Sequence, residues 1–214
     1  MLNLKTFQCN LLTENCYVVS DETKECVIID CGAHYSEEGS AIVGYINDNG
    51  LTPKHLLCTH GHFDHCMGNG YIYRNFGLKP EAHVDDQFLM EKMEQQTQDI
   101  LGIRISLDVP PMGRYLTDSD IITFGTHKFS ILHTPGHTPG GIVFYCEAEK
   151  TAFSGDTLFR MSIGRTDFER GSYEEMIDSL QNVMAKLPAD TTVYPGHGPK
   201  TTIADELRYN PYMR

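Results

Sequence analysis

The chain has 214 residues, 40% of them hydrophobic and 21% charged, which is typical of a globular protein, and we expect one domain over residues 1–214. A net charge of −12 argues against a nucleic-acid-binding protein, because that class depends on a basic surface. The seven cysteines form no CxxC pair, so we expect free thiols rather than a disulfide framework. The N-terminus lacks a signal-peptide pattern and no segment approaches about 20 apolar residues. We therefore expect a cytoplasmic protein that does not span a membrane.

The first half of the chain alternates short β-rich runs with helical segments. LNLKTFQ, NCYVVSD and ECVIIDCG are predicted strands, and a helix follows over about 37–50. KHLLCTH is the next strand, MGNGYIYRNFG a helix and LKPEAHV another short strand. Residues 84–101 have the apolar spacing of an amphipathic helix. We interpret it as a surface helix, with a lid or partner surface as the alternative.

The second half repeats this organisation. DIITFG, HKFSILHTPGH, GGIVFYCEAEK and TAFSGDTLF are predicted strands joined by tight turns. SYEEMIDSLQNVMAKLP is predicted to be a helix, with Ser172 and Glu175 forming a capping box at its start. TTVYPGHG is the last predicted strand. Strands followed by helices in both halves predict an α/β protein in which sheets are sandwiched between helices.

The stretch CTHGHFDHC contains four candidate metal ligands within six positions: His60, His62, Asp64 and His65. Histidine is the commonest metal ligand, but four donors this close cannot easily all hold one tetrahedral ion. Three further candidates follow predicted strands later in the chain. They are His137 in HTPGHTPGG, Asp156 in FSGDTLF and His197 in YPGHGPK.

These seven donors are nitrogen and oxygen atoms at predicted strand ends, where loops on a rigid scaffold commonly carry function. Imidazole and carboxylate donors favour zinc, with iron or manganese as alternatives. Seven ligands exceed one site but fit two adjacent divalent ions that share a carboxylate. We interpret His133 as structural, and Arg165 and Asp167 as an ion pair that braces the loop after Asp156.

The segments THGHFDH, PGHTPG, SGDTLF and PGHG, in this order, resemble the metallo-β-lactamase superfamily, and within it the short glyoxalase II-like (hydroxyacylglutathione hydrolase-like) hydrolases. The resemblance implies a four-layer αββα sandwich. It assigns His60, His62 and His137 to a first metal, and Asp64, His65 and His197 to a second, with Asp156 as the bridge. Asp64 is taken as the catalytic residue. The implied reaction is hydrolysis of a small-molecule acylthiol such as S-lactoylglutathione by a metal-bridging hydroxide.

Two features depart from this family pattern. Only 17 residues follow His197, too few for the C-terminal helical domain that helps glyoxalase II to bind glutathione, so the thiol carrier stays open. Cys66 directly follows the motif, either as a buried small side chain or as a soft, redox-sensitive thiol.

The main alternative function is a persulfide dioxygenase, which would use one iron held by His60, His137 and Asp156. The net charge and the length disfavour a nuclease of the same superfamily. The aspartate in HxHxDH disfavours a β-lactamase. The sequence predicts that neither a nucleic acid nor a membrane is a partner. It gives no prediction of the oligomeric state.

Overall fold

The computed structural model describes all 214 residues. Fourteen strands follow one another along the chain: β1 (Asn3–Cys9), β2 (Glu14–Ser20), β3 (Glu25–Ile29), β4 (Thr52–Leu57), β5 (Pro80–His83), β6 (Arg114–Leu116), β7 (Ile121–Phe124), β8 (His127–His133), β9 (Ile142–Cys146), β10 (Thr151–Gly155), β11 (Leu158–Phe159), β12 (Ser162–Ile163), β13 (Thr192–Pro195) and β14 (Thr201–Thr202). Seven α-helices lie between or after them: α1 (Ser36–Asp48), α2 (Phe63–Cys66), α3 (Asn69–Phe76), α4 (Gln87–Glu91), α5 (Met93–Leu101), α6 (Tyr173–Asn182) and α7 (Ile203–Tyr209).

The strands form two six-stranded sheets and a small hairpin. The first sheet has the order β1-β2-β3-β4-β5-β6, and the second has the order β14-β13-β10-β9-β8-β7. In the first sheet β3, β4, β5 and β6 are parallel, and in the second β10 and β13 are parallel. Parallel neighbours need crossover connections, and α1, α3 and α6 supply the helices of three of them.

The two sheets pack face to face around a buried apolar core. Tyr17 and Val19 from the first sheet meet Phe129, Phe144 and Phe153 from the second. Alternate residues along each strand point the other way, as the strand period of two requires. This alternation leaves each sheet with a second apolar face to cover.

Helices cover both outer faces. On the first sheet Ile42 and Ile46 of α1 pack in one cluster with Ile28 of β3. On the second sheet Met176 of α6 and Ile203 of α7 share a cluster with strand residues of that sheet. The order of layers is therefore helix, sheet, sheet, helix, and the predicted four-layer αββα sandwich is confirmed.

Several predicted boundaries are wrong. The helix expected over 84–101 is a short 3-10 turn followed by α4 and α5, with a break at Lys92, where ψ is 24°. The segment is amphipathic as predicted, because Met90, Met93 and Gln96 are buried while Lys92 and Gln95 are exposed. The strand expected over TAFSGDTLF is split into β10 and β11. β6 was not predicted at all, since three residues are too few for a periodic signal.

All seven cysteines are free and buried, which confirms the expectation of free thiols. The Cys66 thiol donates to the backbone carbonyl of His60 at 3.7 Å and packs with Met90 and Met93 in an apolar cluster. This setting fits the interpretation of Cys66 as a buried small side chain. Among the helices, none combines the length and the apolar character that crossing a membrane would require.

Asp21 joins the two sheets at the end of β2. Its buried carboxylate accepts hydrogen bonds from the backbone and hydroxyl groups of Thr23 and Thr126, and His127 Nδ1 lies 3.0 Å from Oδ2. Burial opposes ionisation, but these donors hold the pKa of Asp21 well below its usual value. The folded protein therefore keeps Asp21 ionised at a pH where the unfolded chain already binds a proton.

We expect this carboxylate to stabilise the fold above about pH 4, near the unfolded pKa of aspartate, and to lose that contribution as the pH falls further. The difference in free energy of unfolding between the wild type and Asp21→Asn should therefore be fully present at about pH 5.5 and should shrink towards about pH 3. Urea unfolding of both EDTA-treated proteins across this range measures it. A difference that stays constant with pH would contradict the role of the ionised carboxylate.

Candidate metal centre

The seven candidate ligands lie together at one end of the two sheets. His60 and His62 follow β4, and Asp64 and His65 belong to the short helix α2. The other three come from distant loops, after β8, β10 and β13: His137, Asp156 and His197. The fold thus brings into one cluster residues that are up to 137 positions apart, and no candidate ligand is left outside it.

Three histidines form one half of the cluster. The ring centroids of His60, His62 and His137 are 4.6 to 4.9 Å apart. His62 Nδ1 and His137 Nε2 face each other at 2.9 Å. All three rings are buried, and donor atoms from the three lie within 4.8 Å of one another, so they could hold one ion.

Asp64, His65 and His197 form the other half. His197 Nε2 lies 3.3 Å from Asp64 Oδ2, and His65 Nε2 lies 3.7 Å from the same oxygen. The donor atoms of these three residues also lie within 4.8 Å of one another. They could therefore hold a second ion.

Asp156 lies between the two halves. Its Oδ2 is 3.5 Å from His137 Nε2 and 3.7 Å from His197 Nε2, while its Oδ1 is 3.4 Å from His65 Nε2. One carboxylate is thus within reach of both groups of donors. The chain turns sharply before it at Gly155, where φ is +48° and a Cβ would meet the Thr59 side chain.

Hydrogen bonds on the far side of the rings orient four of the histidines. His137 Nδ1 donates to the Arg165 carbonyl at 2.7 Å, and His197 Nδ1 donates to the Leu12 carbonyl at 3.1 Å. His65 Nδ1 donates to a carboxylate and His60 Nδ1 to a hydroxyl, at 3.1 Å each. With Nδ1 as the donor in each ring, Nε2 is left to face the centre of the cluster. Burial opposes the charged form of His65 and His197, but neighbouring carboxylates raise the pKa of both rings, so a metal bound there would displace a proton from Nε2.

The donor set fits divalent metal ions. His60 Nε2, His65 Nε2 and Asp156 Oδ1 are buried and have no hydrogen-bond partner. Unpaired buried polar atoms are costly, and a cation would satisfy all three. Burial, together with neighbouring histidines, lowers the pKa of His62 to about 3. Burial opposes ionisation of Asp156, but His65, His137 and His197 hold its pKa well below the usual value. A neutral imidazole and an ionised carboxylate are the forms that bind metals.

Asp30 supports the cluster from behind and was not predicted. Its buried carboxylate accepts hydrogen bonds at 2.7 Å from the Thr59 backbone and hydroxyl groups, and also accepts the His65 Nδ1 proton. Asp30 directly follows β3 and has a φ of +52°, a strained conformation for a residue other than glycine. The abrupt end of a buried strand at an aspartate was the only sequence signal for it.

A cavity of about 470 Å³ opens over the cluster. Its walls are mainly apolar and its floor is formed by the candidate ligands. Ile100 and Leu101 of the 84–101 segment form part of the wall, so the segment borders the site, and its alternative interpretation as a lid stays a prediction. The residues that line the cavity are Leu12, His62, Phe63, Asp64, Ile100, Leu101, His137, Asp156, Phe159, Ile163, Arg165, Phe168 and His197.

The two other sequence interpretations in this region agree with the structure. Arg165 forms a bidentate ion pair with Asp167, with distances of 2.6 and 2.7 Å, and its guanidinium lies over the Phe168 ring. His133 lies outside the cluster, stacks on His83 and is hydrogen-bonded to the Pro139 carbonyl at 2.8 Å. Both residues therefore brace loops of the site.

Comparison with known proteins identifies the family. The family model described as "Metallo-beta-lactamase superfamily" matches residues 9–197. The chain belongs to the metallo-β-lactamase superfamily. With its buried clusters of histidine and aspartate, this superfamily member is a metal-dependent hydrolase.

Three similar proteins cover nearly the whole chain. Hydroxyacylglutathione hydrolase GloC of Haemophilus influenzae is 35% identical over 213 residues, which is 99% of this chain and 98% of the relative. The BLEG-1 B3 metallo-β-lactamase is 34% identical in sequence, and its crystal structure has a TM-score of 0.90 over 100% of this chain and 99% of that one. TTHA1623, solved in a di-iron-bound form, is also 34% identical, with a TM-score of 0.86 over 97% of this chain and 99% of the other.

Proposed function

We propose that this superfamily member hydrolyses a thioester with two divalent metal ions. The observation that carries the proposal is the position of Asp156, within 3.4 to 3.7 Å of histidines from both halves of the cluster. A bridging carboxylate between two groups of three donors is the arrangement that two adjacent ions need.

In this proposal His60, His62 and His137 hold the first ion. Asp64, His65 and His197 hold the second, and Asp156 bridges them. The ions are zinc in our proposal, and the donor set would equally accept iron or manganese. When bound, the pair of ions lowers the pKa of a water to about 7 and polarises the group that is attacked.

The residues around the ions determine which leaving group can depart. Besides the proposed ligands, the cavity lining contains one titratable side chain, Arg165, and that guanidinium is paired with Asp167. No lysine, tyrosine, cysteine or glutamate lines the cavity and could protonate a leaving group. A thiol has a pKa of about 8.5, so a thiolate departs without a proton donor, whereas an amine needs one. The lining therefore supports a thioester rather than an amide as the substrate.

Glutathione as the thiol carrier is supported by a similar protein. GloC of Haemophilus influenzae is named a hydroxyacylglutathione hydrolase, and its length matches that of this chain. A protein that this chain matches over nearly its whole length therefore carries that name, which supports glutathione as the thiol carrier. We propose S-lactoylglutathione or a related acylthiol as the substrate, bound with its acyl group beside the apolar walls formed by residues such as Phe159 and Phe168.

The substrate proposal is tested on one purified sample of known metal content, assayed with S-lactoylglutathione, glutathione persulfide and a chromogenic β-lactam. We expect about two ions per chain and hydrolysis of the thioester only. Oxygen uptake on the persulfide with a single iron would establish the dioxygenase alternative in its place. Faster hydrolysis of the β-lactam than of the thioester would overturn the substrate class. The β-lactam assay is included because the similar protein BLEG-1 is named a metallo-β-lactamase.

A further inference from the structure

The Asp86 carboxylate lies between the two loops that carry the proposed ligands of the first metal. Its Oδ2 accepts a hydrogen bond from the Gly61 backbone N–H and another from the Thr138 hydroxyl, both at 2.8 Å. Its Oδ1 accepts from the Gly140 backbone N–H at 2.7 Å. Gly61 separates His60 from His62, and Thr138 directly follows His137. One side chain thus connects the loops of all three histidines.

These loops approach Asp86 so closely that only glycine fits at two of the contact points. A Cβ at Gly140 would clash with the Asp86 backbone nitrogen and carboxyl carbon. A Cβ at Gly61 would press against Leu89 and Asp86. Asp86 itself is completely buried, and its three partners are neutral dipoles rather than cations. A buried carboxylate without a cation is expensive, so its presence between these loops calls for a specific role.

Gln96 of α5 binds the backbone on both sides of His62, in the loop that Asp86 contacts at Gly61. Its side-chain nitrogen donates to the Gly61 carbonyl at 2.9 Å, and its oxygen accepts from the Phe63 backbone N–H at 3.2 Å. The peptide groups on both sides of His62 are therefore fixed by side chains from the 84–101 segment. Neither Asp86 nor Gln96 lines the cavity over the metal centre.

We propose that Asp86, assisted by Gln96, is a positioning residue that sets the spacing of the three histidines of the first metal site. It acts on His62 and His137 through their neighbouring peptide groups and does not touch the metal or the substrate. The inference rests on the proposed ligand set. It does not depend on the proposed substrate, because its consequence is a change in metal affinity.

The test measures the zinc affinity of the EDTA-treated protein by titration calorimetry. Asp86→Asn keeps the shape of the side chain but replaces one acceptor oxygen by a donor, so at least one of the three donors loses its partner. We expect the three-histidine site to bind zinc about 10- to 100-fold more weakly, as is typical when a partner behind a metal ligand is removed. The site formed by Asp64, His65 and His197 should keep its affinity.

Asp21→Asn is the matched control, because Asp21 is also a buried carboxylate that accepts several hydrogen bonds from neutral donors. It lies at the opposite end of β2 from the site, about 20 Å away at 3.3 Å per residue. We expect it to lower stability without changing either zinc affinity. Equal losses of zinc affinity in both variants would mean that general destabilisation is the cause, and would overturn the proposal.

A second variant covers the case in which Asp86→Asn does not fold. Thr138→Val removes only the hydroxyl that binds Asp86 Oδ2 and leaves both backbone hydrogen bonds in place. We expect a smaller loss of zinc affinity, confined to the three-histidine site. Wild-type zinc affinity in Thr138→Val, or in a folded Asp86→Asn, would overturn the proposal.

Discussion

Asp64→Ala is expected to lower kcat/KM for thioester hydrolysis by at least about 100-fold, because even the loss of a partner behind a metal ligand commonly costs 10- to 100-fold. Asp64 Oδ2 lies 3.3 Å from His197 Nε2 and 3.7 Å from His65 Nε2, so its removal leaves the second group with two histidines. The metal content should fall from about two ions to about one, since the three-histidine group is untouched. Metal analysis and steady-state kinetics on the same preparation measure both effects.

The matched control for this variant is Asp99→Ala. Asp99 lines the groove next to His62 and is exposed, and its carboxylate accepts a hydrogen bond from Gln95. The Asp99→Ala substitution removes a carboxylate from the same region without removing a proposed ligand. We expect two ions and wild-type activity in Asp99→Ala. A fully active Asp64→Ala that retains both ions would show that the assignment of Asp64 is wrong.

Gly196→Ala is expected to damage the metal centre through a single methyl group. A Cβ at this position would fall against Asp156 Oδ1 and the His65 ring, that is, against the proposed bridge and a ligand of the second ion. His65 is held by Asp30 at 3.1 Å and lies 3.4 Å from Asp156, so a shift that accommodates the methyl group displaces a proposed ligand. We expect destabilisation of about 1 to 3 kcal/mol, typical of overpacking, together with loss of metal and of activity.

Gly44→Ala gives the opposite expectation and serves as the control. Gly44 lies within α1, and a Cβ there would meet no atom within 4 Å. Alanine should stabilise the helix by about 0.5 to 1 kcal/mol, because glycine loses more backbone freedom on folding. The free energy of unfolding, measured in urea, should therefore rise in Gly44→Ala and fall in Gly196→Ala, and metal analysis should show a loss only in Gly196→Ala. Unchanged metal content in Gly196→Ala would contradict the close packing of the 196 loop against the bridge.

The sequence was informative about the ligands because metal chemistry restricts residue types strongly. HxHxDH is too dense in donors for an ordinary turn, and His137, Asp156 and His197 each follow a strand, as predicted. The structure brings all seven together, although which ion each one holds stays a proposal. The αββα layers were predicted from the family resemblance and are confirmed by the sheets and helices.

The supporting residues could not be predicted in the same way. Asp86 lies in the VDD sequence, which reads as an ordinary helix start, and two of its three partners are backbone groups 25 and 54 positions away along the chain. Gln96 looked like one polar residue among many, because only the tertiary packing turns that side of α5 inwards. Backbone hydrogen bonds made at long range leave no pattern of residue types, and so a single sequence carries no signal for them.

The proposed function requires that one cluster holds two ions and that both are needed for hydrolysis. The most direct measurement is a titration of the EDTA-treated protein with zinc while the hydrolysis of S-lactoylglutathione is followed. We predict that activity rises to a plateau at about two equivalents of zinc per chain. A plateau at about one equivalent, or activity restored by a single iron but not by zinc, would contradict the two-ion centre.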